Sequence, residues 1–394
     1  MLIPAAGTPA AHRRRRPRRG AERLDTMTTT TSELTDSSAQ EDGAGAPVTR
    51  RRRRGGGLGR YIVVRFLLII PTIFILVTTV FFLMRTTGDP ITAALGGRLP
   101  PDQLAQRVHD AGYDRPLFVQ YFEYLGGIVH GDFGTTISDR RPVLDVLKTF
   151  GTATLELSIY ALIVAFIVGI PLGMVAAYFR DRAPDAILRV FAILFYATPV
   201  FFLGLLFKLV FSVWLDWLPV AGRASTGTEI ELSTLEHPSG FYLIDALRLG
   251  DPEAVQDVLQ HAILPSLALG LLTAGIFLRL VRTNVIGTHG AGYVEAARSR
   301  GVGEYRLLRK HAYRPALIPI ITVIGLQVAI LLVGAVLTET TFEWKGLGFQ
   351  LTKYLQARDF VAVQGIVALL AVIVAVTNFI VDIIAALIDP RVRY

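Results

Sequence analysis

Few side chains in this 394-residue sequence stand where they could do chemistry. Glu156 sits at the boundary of one long apolar run, and Lys208 lies a turn or two inside the end of another. Ionisable groups at such depth are costly and often functional. Glu156 could meet a substrate amine and Lys208 a substrate carboxylate. The plainer alternatives are a structural bond for Glu156 and snorkelling of Lys208 to the interface. His130 and His311 have no companion ligands at useful spacing, so they read as structural rather than metal-binding. No GxxxxGK[ST] loop is present to cradle phosphates, and no Ser/His/Asp pattern rises above chance. Cysteine is absent, which removes thiol and disulfide chemistry. The expectation from these observations is a non-catalytic chain with no cofactor of its own.

The second feature able to act is a charged run, residues 295–315 (EAARSRGVGEYRLLRKHAYRP), set between two uncharged apolar stretches. Residues 293–300 favour a helix, with Ala296 and Ala297 offering a smooth, small surface beside Glu295. Gly301 and Gly303 break that helix, and residues 304–313 resume it from Glu304 with Leu307 and Leu308 on one side. Two short helices meeting at a glycine can fit a partner's groove. An ordinary connector between membrane helices is the alternative.

The elements that must position these residues are hydrophobic. Half the chain is apolar (52%) and the mean hydropathy is +0.47. Six runs are long enough to cross a ~30 Å hydrocarbon core as helix: 61–84, 157–178, 187–213, 263–281, 316–338 and 360–381. The fourth is short, closed by Arg279 and Arg282. Barrel strands would be short and alternating, so the expectation is an all-α polytopic membrane protein with six transmembrane helices.

Charge is distributed unevenly. Residues 1–60 hold 13 Arg against 6 acidic residues, while the remaining 27 basic and 26 acidic residues nearly balance. The excess belongs to a tail rather than a nucleic-acid-binding surface. Residues 1–57 are rich in Arg, Thr, Ser, Gly and Pro, and are expected to be disordered and cytoplasmic. Such a tail sets orientation and can meet anionic membrane lipid. Met27 offers a second translation start, and no cleavable signal pattern is present. The 284–315 loop has six basic residues against Glu295 and Glu304, whereas 214–259 has Arg223 and Arg248 against eight acidic residues. The positive-inside rule then puts both termini and the charged hairpin in the cytoplasm. The segments 85–150 and 214–259 lie outside, with helical patterns over 101–130 and 241–249.

The motifs resemble a known family. Glu295-Ala296-Ala297 followed by Gly301 is similar to the EAA core of binding-protein-dependent ABC-importer permeases. His311-Ala312-Tyr313-Arg314, with Pro319 beyond, is similar to its peptide-transporter branch, although Tyr313 and Pro315 depart from that pattern. Gly88-Asp89-Pro90, the segment from His130 to Gly134, Thr154-Leu155-Glu156-Leu157, Gly169-Ile170-Pro171-Leu172-Gly173, the run 337–348 (LTETTFEWKGLG, with Lys345 where Pro is usual) and Asp389-Pro390-Arg391-Val392-Arg393 match in order. Residues 58–394 therefore resemble the first permease of a dipeptide/oligopeptide ABC importer. The resemblance implies the type I importer permease fold in a bacterial inner (plasma) membrane. It implies a second, related permease, two ABC ATPases carrying ATP and Mg, and an extracytoplasmic substrate-binding protein, with no nucleic acid. It gives Glu295, Ala296, Ala297, Gly301, Glu304, Leu307 and Leu308, within a coupling loop at 293–315, to ATPase coupling. It gives Glu339, Phe342, Gly346 and Gly348 to the outer mouth, where shaping the return into the last span is the alternative. Nickel, glutathione or another small solute are alternative cargoes. A secondary transporter would show internal repeats and paired intramembrane charges, and a signalling or scaffolding protein would leave the hairpin unexplained.

Overall fold

The computed structural model describes residues 58–86, 88–313 and 334–388, together with 323, 327, 330 and 331. The tail 1–57, most of the fifth apolar run and the DPRVR end lie outside the described residues. Among them the regular elements are all helices, with one isolated bridge between Thr135 and Pro142. Hydrocarbon offers no partner to a backbone N–H or C=O, so a chain this apolar satisfies those groups within helices.

Two helices dominate. Helix α5, Val143–Tyr178, has 36 residues and α10, Pro252–His289, has 38. At about 1.5 Å per residue each exceeds 50 Å, far longer than the ~30 Å membrane core. The expected span 157–178 is thus only the C-terminal part of one rod, and 263–281 the middle of the other. Arg279 and Arg282 do not close the fourth span but lie inside α10. The two rods pack closely because glycines face the contact. A Cβ on Gly169 would stand 2.7 Å from the Ala274 carbonyl, one on Gly173 2.7 Å from Val281 Cβ, and one on Gly270 2.6 Å from the Ala161 carbonyl. Gly169 and Gly173 form a G-x-x-x-G pair, which lets helix backbones approach within a membrane.

The other spanning elements differ more from expectation. Helix α1, Leu58–Arg85, carries the first span and packs on the last helix, Phe360–Ile388, through Phe66 on Phe379 and an Arg65–Asp382 pair at 3.2 Å. The third run is not one straight helix. It breaks into α6, Ala183–Ala197, and α7, Val200–Phe207, which continues as a π-helical turn, Lys208–Trp214; the arms meet at 105°. Pro199 causes the break, since it has no N–H to donate and holds Thr198 extended at ψ 126. Four described helices are long and apolar enough to cross a membrane, or five if the bent pair counts as one span. The protein is therefore a multi-pass helical membrane protein. The expected span 316–338 falls largely outside the described residues.

Short helices cap both ends of the rods. At the hairpin end lie α11, Gly292–Ser299, and α12, Glu304–Arg306, which runs into a π-helical turn, Leu307–Ala312. At the far end, α2 (Pro90–Leu95), α3 (Pro101–Asp110) and α4 (Leu117–Val129) precede α5. There too, α8 (Thr226–Ser233) and α9 (Tyr242–Leu249) precede α10. Asp89 caps α2 by accepting from the Thr92 amide at 2.7 Å, so the Gly-Asp-Pro motif is a helix start. Residues 334–342 are helical, and the helix Leu347–Gln356 follows.

Candidate functional site

The hairpin is fixed on one side and open on the other. Gly301 turns the chain at φ +81, a left-handed conformation that other residues rarely adopt, with nothing within 4 Å of where a Cβ would stand. Its conformation, not space, calls for glycine. Val294, Leu307, Leu308 and Ala312 are buried, and Leu308 and Ala312 pack with Ala177 of α5 and Val281 and Val285 of α10. Thr288 in α10 donates to the Ala312 carbonyl at 2.9 Å. The two short helices are tied by charge. Arg298 donates to Glu295 at 2.7 Å and meets His289 at 2.8 Å, while His289 and Glu304 approach to 2.6 Å. Glu295, Ala296, Gly301 and Glu304 are exposed, and so are the rings of Tyr293 and Tyr305.

The far end of the rods is built oppositely, around buried polar groups. Glu156 is almost fully enclosed and meets the Arg223 guanidinium at 2.5 Å, accepts from Tyr160 at 2.8 Å, and accepts from the Leu243 amide at 3.0 Å. Arg223 also donates to the Gly240 carbonyl at 2.9 Å and stacks on Tyr242, 3.6 Å from the ring centroid. Glu339 is wholly buried, accepting from Thr154 at 2.6 Å and from the Phe349 amide at 2.9 Å. The Thr154 hydroxyl in turn accepts from the Leu347 amide at 2.8 Å. Trp344, fully buried, donates to the Ala153 carbonyl at 2.9 Å. A Cβ on Gly346 would overlap the Glu339 carboxylate, and one on Gly348 would overlap the Val336 backbone. These bonds latch the turn after residue 342 onto the head of α5.

The latch extends into both far-side segments. Asp359 is fully buried, accepts from the amides of Ile137 and Ser138 at 2.7 and 2.8 Å, and caps the last helix through Ala362. Tyr354 donates to Asp139 at 3.0 Å, and burial first, then that bond, raises its pKa. Lys345, where the family pattern has Pro, reaches Glu229 of α8 at 3.0 Å. Asp257 of α10 accepts from the Ser225 amide at 2.7 Å.

The expected site residues thus fall into separate groups. Glu295, Ala296, Ala297, Gly301 and Glu304 share the hairpin's open face or bend, whereas Leu307 and Leu308 anchor it inward. Glu339, Phe342, Gly346 and Gly348 are all buried, and the turn presents Glu343 and Lys345 instead. Glu156 is committed to Arg223. Lys208 donates to the Thr341 carbonyl at 2.8 Å, over the ring of Phe342. No group of three or more His, Cys, Asp or Glu able to hold a metal occurs among the described residues. Sequence reasoning did not single out His289, Tyr293, Arg298 or Tyr305 in the hairpin, or Arg223 and Asp359 in the latch. The available signals were aromatics in a charged segment, and one of only two Arg in an acidic one.

Comparison with known proteins is direct. Residues 169–394 match the family model described as binding-protein-dependent transport system inner membrane component, and residues 58–150 match the N-terminal model of the same transport systems. The chain is 38% identical over 336 residues to the di/tripeptide transport system permease protein DppB of Pseudomonas aeruginosa, covering 85% of this chain and 98% of that protein. It is 37% identical over 337 residues to the dipeptide transport system permease protein DppB of Escherichia coli K12, covering 85% and 99%. The glutathione transport system permease protein GsiC of Salmonella choleraesuis is 33% identical over 335 residues, covering 85% and 99%.

Proposed function

The chain belongs to the family of binding-protein-dependent transport system inner membrane components, and from that premise we propose that it is one permease subunit of an ATP-driven importer of di- and oligopeptides. Relatives named for dipeptides stand beside one named for glutathione, itself a small peptide. A second, related permease would complete the pathway, an extracytoplasmic binding protein would deliver the peptide, and two ATPase subunits carrying ATP and Mg would drive it. The hairpin and both termini then face the cytoplasm, with the latch outside.

One observation carries this reading. The hairpin is pinned to α5 and α10 by buried leucine and alanine, yet it turns Glu295, Ala296, Tyr293 and Tyr305 outward. Such an element accepts a push from a soluble partner and passes it to the rods that hold it. Those rods run without a break to the latch, where Thr154, Glu156 and Asp257 are fixed. Movement of the hairpin therefore moves the outer mouth. Glu339, Phe342, Gly346 and Gly348 act here by shaping that mouth, while Glu156 and Lys208 brace its wall rather than touch cargo.

The natural absence of cysteine makes the test simple. Ala296→Cys or Tyr305→Cys in the assembled complex should cross-link to an ATPase subunit, and Leu308→Cys should not. An active complex in which neither exposed position cross-links to an ATPase would overturn the coupling assignment.

A further inference from the structure

A cleft of about 430 Å³ opens between α6 and α10, away from hairpin and latch. It begins where the two helices touch: a Cβ on Gly275 would stand 2.9 Å from the Ala192 carbonyl. From that contact toward the hairpin end, Arg189, Arg279 and Arg282 line it; Ile193, Tyr196 and Ile276 form its apolar side. The charges do not balance. Asp185, completely buried, is held by Arg282 through two bonds of 2.5 and 2.7 Å, and accepts from the Asp181 amide at 3.0 Å. That carboxylate is committed to Arg282, and Arg189 reaches it only at 3.6 Å with half its side chain exposed. Arg279 is exposed, lies 5.8 Å from the Tyr196 ring centroid, and has no carboxylate partner among the described residues.

Two cations thus border an apolar cleft on membrane-spanning helices. Arg279 stands ten residues before the end of α10, roughly 15 Å along the helix, which suits the headgroup zone. A protein helix covering the cleft would need its own carboxylate for each arginine. A lipid phosphate satisfies both through forked guanidinium bonds while its acyl chain fills the apolar side. We propose that this cleft binds an anionic phospholipid, its phosphate between Arg189 and Arg279 and its chain along Ile193 and Ile276. The inference rests on the membrane-spanning reading of α6 and α10, and not on the hairpin's partner or the cargo.

The test reconstitutes the assembled transporter in nanodiscs with photoactivatable phosphatidylglycerol or phosphatidylcholine and maps labelled peptides by mass spectrometry. Phosphatidylglycerol should label the Ile193 and Ile276 peptides, and phosphatidylcholine should label them far less. Inorganic phosphate at millimolar concentration should not displace the label, which separates a lipid site from a free-anion site. The pair Arg189→Gln and Arg279→Gln, which spares the Asp185–Arg282 bond, should cut that labelling about tenfold. Equal labelling by both lipids, displacement by phosphate, or cross-links from these positions to a second permease would each overturn the proposal. If the double variant fails to assemble, the two-lipid comparison on the unmodified complex decides alone. Because labelling is read without ATP or peptide, its failure leaves the importer reading untouched.

Discussion

The hairpin and the latch sit at opposite ends of the same two helices and are built on opposite rules. The hairpin hides apolar side chains and exposes its charges. The latch hides its charges: Glu156, Arg223, Glu339 and Asp359 are all buried. Hairpin ion pairs such as Glu295–Arg298 are surface pairs a few residues apart, contributing roughly 0–1 kcal/mol. The latch bonds Glu156–Arg223, Thr154–Glu339 and Ile137–Asp359 join residues 67, 185 and 222 positions apart. An element meant to be gripped keeps its polar groups available, whereas an element meant to hold a shape consumes them.

The contrast can be broken most severely at the latch. Glu156→Ala leaves Arg223 buried without its carboxylate, and losing one member of such a pair costs about 3–5 kcal/mol. Thermal unfolding of the purified complex should fall markedly; an unchanged transition would mean that the latch is not a structural core. Leu308→Ala removes an anchor rather than a charge and should cost about 2–5 kcal/mol, with cross-linking from position 296 to an ATPase weakened as the hairpin loosens. Gly301→Pro forces a φ near −65° where the chain needs +81. It should cost about 1–3 kcal/mol locally while abolishing uptake, measured with labelled peptide in vesicles. The smallest stability effect belongs to Glu295→Lys, within ~0.5 kcal/mol, yet uptake should be lost because an exposed carboxylate of the proposed docking face becomes a cation. Normal uptake in that variant would remove the functional half of the comparison.

The two regions were also unequally legible in the sequence. The hairpin could be read because its signals are local: a charged run between apolar ones, small alanines beside Glu295, and a glycine at the bend. Its outward tyrosines were missed because an aromatic in sequence does not declare which way it faces. Latch residues were visible as motifs, but burial depends on partners far along the chain, so Glu156 stood open between a pathway charge and a structural bond until Arg223 was seen against it. Hydropathy found the C-terminal part of α5 and the middle of α10, and missed the start of α5 and both ends of α10, where polar and charged residues interrupt the apolar run. Asp251-Pro252, a capping residue followed by Pro at the first turn, was the overlooked start signal for α10. Pro199 likewise announced the break in the third run, which counting apolar residues passed over.

In the proposed mechanism, hairpin and latch move as one body through α5 and α10. Spin labels at Ala296→Cys on the hairpin and Lys353→Cys on the latch-side helix Leu347–Gln356 report on it directly. The chain has no other cysteine, so partner subunits free of reactive thiols leave only this pair. Electron–electron distance measurement should give the same intrachain separation with and without ATP, while the distance from Lys353→Cys to a label on the second permease changes. A nucleotide-dependent change within the chain would contradict rigid coupling, because the rods would then be bending rather than carrying the motion.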